Sequence, residues 1–293
     1  MKSVLLHPHT EKQLKNFIKH PSHALLIVGP VGSGKFTLAK EVAINLLGIV
    51  SGDKLANYPY FIHVKRPKDK QNIAIEQIRA LIKQLKLKTP GRRDIRRVII
   101  IEDAEDLNDE GSNAMLKILE EPSAETIFIL TTSSEHNLLP TIVSRTQQLN
   151  VKAISASQAQ SYYQDQFAKE TVDTAWQLAQ GRIGLLTALL TEDSGHLLKQ
   201  AINESKAFLR QNTYQRLLGI EQLAKDKKRL AAFLDGLSRL LVALYIVAIS
   251  KNNAAQAQKL LNSRKLVQEL QETLEANVAP RLILLKLAVN LVR

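Results

Sequence analysis

Ala24-Leu25-Leu26-Ile27-Val28-Gly29-Pro30-Val31-Gly32-Ser33-Gly34-Lys35-Phe36-Thr37 is the stretch whose reading decides the fold. Its first five residues read as a buried strand, a glycine-rich turn follows at once, and Thr37 to Leu47 carries apolar residues at helical spacing. Strand, Gly-x-x-x-x-Gly-Lys loop and helix in that order are the setting of a phosphate-binding loop. The glycines let the backbone curl so that N–H groups of Gly32, Ser33 and Gly34 and the following helix N-terminus face phosphate oxygens, and Lys35 reaches the β and γ phosphates. After the lysine the motif requires Ser or Thr to ligate Mg²⁺, but Phe36 stands there, and a phenyl ring cannot coordinate a metal. Thr37 comes one place later, rotated by about 100° around the helix and so pointing away from the metal position. The loop is expected without its usual hydrolysis, and ATP is at most a bound ligand.

The partner of such a loop is an apolar strand ending in acids, and Val98-Ile99-Ile100-Ile101-Glu102-Asp103 supplies it. In P-loop ATPases the first carboxylate helps hold Mg²⁺ and the next, usually glutamate, polarises the attacking water. Here Glu precedes Asp, displacing each carboxylate by about one methylene, and a misplacement of about 1 Å can cost ~100-fold in rate. Further strands are expected at Phe61 to Val64, Thr126 to Thr131 and Gln147 to Val151, and helices at Ile75 to Leu87 and Gly111 to Leu119. Alternation of this kind gives an α/β module with a parallel sheet over residues 1–152. After Val151 the pattern is helical, broken at Gly181, Ser194-Gly195, Asp226, Asn252-Asn253 and Pro280. Residues 153–194 read as a small helical lid, and 195–293 as an all-α bundle with long helices over Leu230 to Ile249 and Ala255 to Leu274.

Composition agrees with a folded chain of two or three domains: 293 residues, 45% hydrophobic and 23% charged. The absence of cysteine excludes disulfides, thiolate zinc sites and cysteine nucleophiles, and fits a reducing compartment, so a cytoplasmic protein without zinc is expected. The N-terminus reaches histidine and acid within eleven residues, too soon for a signal-peptide core. Leu240 to Ile249 is about half the ~20 residues a membrane helix needs and reads as buried, with no membrane partner. A formal charge of +12 points to a polyanionic partner, nucleic acid first, although surplus surface lysine also serves solubility.

Longer stretches carry a resemblance. Ile101 to Leu107 followed by Asn113-Ala114-Met115-Leu116-Lys117-Ile118-Leu119-Glu120-Glu121-Pro122, His23-Ala24 before the loop, Ile75-Glu76-Gln77-Ile78-Arg79, the strand Phe128 to Thr132, and Ser144-Arg145-Thr146 together resemble the AAA+ clamp-loader family, on its bacterial DNA polymerase III delta-prime branch. The similarity covers about residues 20 to 151 and continues more weakly through Ala179-Gln180-Gly181-Arg182. It implies a P-loop AAA+ sheet module, a lid and a C-terminal collar. The chain would assemble with gamma/tau- and delta-type subunits, act indirectly on the sliding clamp, and meet primer-template DNA in the assembled complex. By the same resemblance Gly29, Gly32, Ser33, Gly34, Lys35, Phe36, Thr37, Glu102, Asp103 and the sensor residue Thr132 line the nucleotide site, and Arg145 is an arginine finger acting in trans. Such fingers contribute ~10³-fold or more in other phosphoryl-transfer systems; a plain surface ion pair is the ordinary alternative for Arg145.

Departures bear on the activity. Active loader ATPases place a lid arginine where Gly184 stands, and Arg182 is not expected to replace it; the four-cysteine zinc module of motor subunits is absent. The competing reading, a catalytically active gamma/tau or replication factor C small-subunit ATPase, is opposed by Phe36, the Glu102-Asp103 order and Gly184. A nucleotide-independent DNA-binding protein would rest on charge alone. The basic cluster Lys83, Lys86, Lys88, Arg92, Arg93, Arg96 and Arg97 could touch DNA, yet no aromatic residue is interleaved to stack on bases, and a solvated face explains it nearly as well. His7, His9 and His20 lack metal-ligand spacing and read as surface or capping residues.

Overall fold

The structure is a computed structural model and describes residues 4–67, 70, 72–87, 89–191, 193, 195–276 and 278–291; Lys88 and Ser194 lie outside the described residues. Its contacts form two compact units, one running to Ser155 and including Arg182–Gly184, the other comprising Ala156–Gly181 and the residues from Leu185 onward.

The first unit contains α1 (Pro8–Lys19), β1 (Ala24–Val28), α2 (Lys35–Leu47), α3 (Gly52–Ala56), β2 (Phe61–Val64), α4 (Ile75–Leu85), β3 (Arg97–Ile101), α5 (Asp109–Glu120), β4 (Thr126–Thr132), α6 (Pro140–Val143) and β5 (Gln147–Asn150). The strands form one sheet in the order β2-β3-β4-β1-β5, every pair parallel. Alternation along each strand sorts the core into two layers. Leu26, Ile99, Ile101, Phe128 and Leu130 pack with Ile78 and Met115 on one side, while Leu25, Ile27, Val98, Ile100 and Ile129 pack with Leu14, Phe17, Leu38 and Val42 on the other. Val98 to Ile101 are all fully buried, which is why the run is continuously apolar instead of alternating. Helix α2 begins at Lys35, two residues earlier than its apolar periodicity indicates, because Gly34 at φ 87° turns the chain directly into the first turn.

The second unit is helical: α7 (Ala156–Tyr163), α8 (Lys169–Ala179), α9 (Ile183–Leu190, whose first two residues count with the first unit), α10 (Leu197–Arg210), α11 (Thr213–Leu218), α12 (Ile220–Ala224), α13 (Lys227–Ser250), α14 (Ala254–Glu275) and α15 (Pro280–Asn290). Its core joins Phe208, Leu230, Phe233, Leu234, Leu237, Val267, Leu270, Ile283, Leu284 and Leu287. Gly236 marks the crossing of α13 and α10, where an added Cβ would stand 3.0 Å from the backbone of Ala201 and Ile202. By length and composition α13 could cross a membrane, although half of its most apolar stretch is buried inside the unit. It also carries Arg239, only 2% exposed, whose Nε donates to Asp235 at 3.1 Å and whose Nη1 donates to the carbonyls of Leu178 (3.0 Å) and Ala179 (2.9 Å) at the end of α8.

These bonds tie the end of α8 to α13 within the second unit. A guanidinium is well suited to capping the negative end of a helix. Arg239→Ala removes three hydrogen bonds from a buried position and should destabilise the second unit by about 3 kcal/mol. Denaturant unfolding followed by fluorescence of Trp176, the single tryptophan, located on α8, measures this; an unshifted midpoint would show that the cap contributes nothing.

Candidate functional site

Parallel register brings the carboxyl ends of β1, β3 and β4 side by side, pairing Val28 with Thr132 and Ile101 with Leu130. Loops leaving these ends are joined by two bonds, Gly29 N–H to the Thr132 carbonyl (3.1 Å) and Asp103 N–H to Thr131 Oγ1 (2.9 Å). In open α/β sheets this edge is where ligands bind.

The phosphate-binding loop has its required curl. Gly32 and Gly34 adopt φ 83° and 87°, left-handed values that favour glycine. A Cβ on Gly29 would stand 2.9 Å from Ser33 Oγ, so the turn is closed by its own residues. Ser33 is buried and its hydroxyl has no hydrogen-bond partner. Lys35 is mostly buried, its Nζ 3.4 Å from the Pro30 carbonyl.

At the place where the motif carries its Ser or Thr, Phe36 forms a stack. The Phe36 ring lies on the His63 imidazole with centroids 4.5 Å apart and planes 24° from parallel, and the Lys40 ammonium sits 4.8 Å from the phenyl centroid. His63 Nε2 in turn meets Glu102 Oε2 at 2.9 Å. Register explains the meeting: His63 pairs with Ile100, and alternation puts Glu102 on the same sheet face as Ile100, the face that α2 covers. Thus the first carboxylate of the acidic pair is held by a histidine that the sequence reading did not single out. Asp103 adopts φ 49°, an uncommon conformation for a non-glycine residue, with its N–H held by Thr131. Thr37 is exposed on α2. Thr132 is fully buried and its hydroxyl donates to the Ser134 carbonyl at 2.8 Å, while Glu105 accepts from both the N–H and hydroxyl of Ser133 (2.9 and 2.7 Å).

Arg182 and Gly184 lie against the same loop. Arg182 Nη1 donates to the Val31 carbonyl at 2.9 Å. A Cβ on Gly184 would stand 2.8 Å from the Gly32 carbonyl oxygen and 2.9 Å from the Gly34 nitrogen. A side chain at position 184 would crowd the backbone of the phosphate-binding loop. Phe36 offers magnesium no ligand oxygen, and Glu102 is engaged by His63, so the residues present do not fit the metal at this position.

Arg145 follows α6 on the exposed side of the unit. Its Nη1 donates to the Thr141 carbonyl (3.0 Å) and its Nη2 to Glu120 Oε1 (2.8 Å) at the last residue of α5. The basic cluster is smaller than its sequence implies: Arg97 is buried and donates to the carbonyls of Leu85 and Leu87 and to Thr89 Oγ1, Arg93 bonds the Leu47 carbonyl, and Arg96 the carbonyls of Gly91 and Arg93. Lys83, Lys86 and Arg92 are exposed. His7 caps α1, its Nδ1 accepting from the His9 N–H, and His20 ends that helix.

Residues 6–155, half of the chain, match the family described as DNA polymerase III, delta subunit. The chain belongs to this family. Among delta-subunit relatives, the DNA polymerase III subunit delta′ of Haemophilus influenzae is 28% identical over 227 residues, 73% of this chain and 67% of that protein. The delta′ subunit of Pseudomonas aeruginosa is 33% identical over 137 residues, 42% of this chain and 41% of that one, so the second match spans less than half of its relative. A DNA polymerase III gamma subunit-related protein from Thermotoga maritima shares the fold, with a TM-score of 0.54 at 19% identity, covering 96% of this chain and 97% of that one. In this delta-family chain the AAA+ P-loop fold is retained around a loop closed by its own side chains.

Phe36→Thr supplies the missing ligand type but leaves the His63–Glu102 pair and the Gly184 backbone where they are. Magnesium should therefore not tighten binding of a fluorescent ATP analogue to the wild type or to Phe36→Thr. A magnesium-dependent gain in the variant would show that the phenyl ring alone closes the site.

Proposed function

We propose that this chain is the delta-prime-type subunit of a cytoplasmic DNA polymerase III clamp loader, a stator that hydrolyses no ATP itself and serves a neighbour's site through Arg145. The Phe36–His63 stack, with Glu102 committed to His63, carries this reading, because it removes magnesium chemistry from the chain's own loop while Arg145 remains accessible. Family membership supports gamma/tau- and delta-type subunits as partners, with the sliding clamp engaged indirectly and primer-template DNA met in the assembled complex. Residues 153–194 then act as the lid and 195–293 as the collar.

Exposed apolar residues support the collar role. Leu244, Ile246, Val247 and Ile249 on α13 and Leu282, Leu285 and Val289 on α15 face solvent, more large hydrophobics than helices of a free-standing bundle ordinarily show. Ile246→Glu combined with Val289→Glu should abolish co-purification with the motor subunit while the circular dichroism of the isolated chain stays unchanged. Undiminished co-purification would exclude these faces from assembly.

For Arg145, the expected loss is in the transition state, where negative charge redistributes on the transferring phosphoryl group and a guanidinium fork is bound most strongly. Arg145→Ala should leave assembly intact and lower hydrolysis at the adjacent motor site by about 10³-fold. ATP binding there should weaken far less. Lysine keeps the charge without the fork, so Arg145→Lys should rescue only in part. Wild-type ATPase and clamp-loading rates in an assembled Arg145→Ala complex would refute the role in trans.

A further inference from the structure

Arg145 is held at two points. Its backbone N–H closes the turn after α6 by donating to the Ile142 carbonyl at 3.1 Å, and its side chain then runs back to donate to the Thr141 carbonyl and to Glu120. Glu120 is the last residue of α5, so the guanidinium lies beside that helix's negative end, where a cation is favoured. A guanidinium carries five N–H donors in a rigid fork. Two are spent on Thr141 and Glu120, which leaves three in a plane whose orientation those two bonds fix.

From this geometry we infer that Glu120 is a positioning residue for Arg145: it sets the direction of the guanidinium before a phosphate group arrives. The inference rests on the reading that Arg145 acts in trans. The side chains of Arg145 and Glu120 are 35% and 48% exposed. An ion pair this accessible is too weak to withhold an arginine from a polyphosphate, so it does not act as a lock. It is strong enough to reduce the rotamer freedom of a long side chain, and a fixed fork loses less entropy on meeting its ligand. The carboxylate meets only Nη2, and Nη1 bonds a neutral carbonyl, so the positive charge is not neutralised on both edges.

The test is a double-mutant cycle in the reconstituted complex, reading kcat and the KM for ATP. Glu120→Ala should lower kcat about three- to fivefold, the range expected of an exposed pair, and change KM less than about twofold. Glu120→Gln keeps an acceptor of the same length and should retain most of the rate. Neither change should have any effect once Arg145→Ala is present, because Glu120 then has nothing to position. A fall of equal size in the Arg145→Ala background overturns the inference, since Glu120 would then act through folding or assembly. A rise in kcat for Glu120→Ala also overturns it, because the pair would then be a restraint. An Arg145→Ala complex with wild-type kcat fails the trans reading itself, which is distinct from a large Arg145 effect combined with no Glu120 effect.

Discussion

Because β3 and β4 are covered on both faces, their side chains are mostly apolar, and the polar groups that matter for the site stand at their carboxyl ends. There, parallel register pairs Val28 with Thr132 and Ile101 with Leu130, and the loops that follow satisfy backbone groups from one another. The bonds Gly29 to Thr132 and Asp103 to Thr131 do this, so the acidic pair, the sensor strand and the phosphate-binding loop are positioned by a common constraint before any ligand is considered.

Within that frame the replacements at the site are mutually consistent. Serine or threonine at position 36 with free acids at 102 and 103 would concentrate negative charge that magnesium normally offsets. Phe36 instead offers an aromatic face to His63, and His63 partners Glu102. The glycines of the loop are required by the backbone itself, since Gly32 and Gly34 hold left-handed conformations that favour glycine. A phosphate-loop sequence is therefore partly a requirement of folding, and its presence alone does not imply turnover.

The strands were legible from sequence to within one residue, because two-sided burial demands unbroken apolar runs bounded by turn residues. Helix ends were less so: α2 and α5 begin two residues before their apolar periodicity, where Gly34 and the Asn108 cap start the first turn. Interactions set by register or by packing between distant elements were not legible. His63 reaches Glu102 across strand pairing, Glu120 reaches Arg145 across 25 residues, and Arg239 reaches α8 across about 60. The basic cluster misled for a related reason: a run of arginines announces charge, but Arg97 is the first residue of a buried strand and spends its guanidinium on backbone carbonyls.

Closing the loop with the chain's own atoms has a thermodynamic corollary. A domain that takes up a ligand only when folded gains stability from mass action, about 2.7 kcal/mol when ligand stands at a hundred times its dissociation constant. The Phe36–His63 stack and the His63–Glu102 bond draw nothing from such a ligand, and the two packed faces of the sheet support the fold beneath them. Under the proposed stator role, such ligand-independent contacts would keep the sheet module of this chain unchanged as the ratio of ATP to ADP varies around its neighbours.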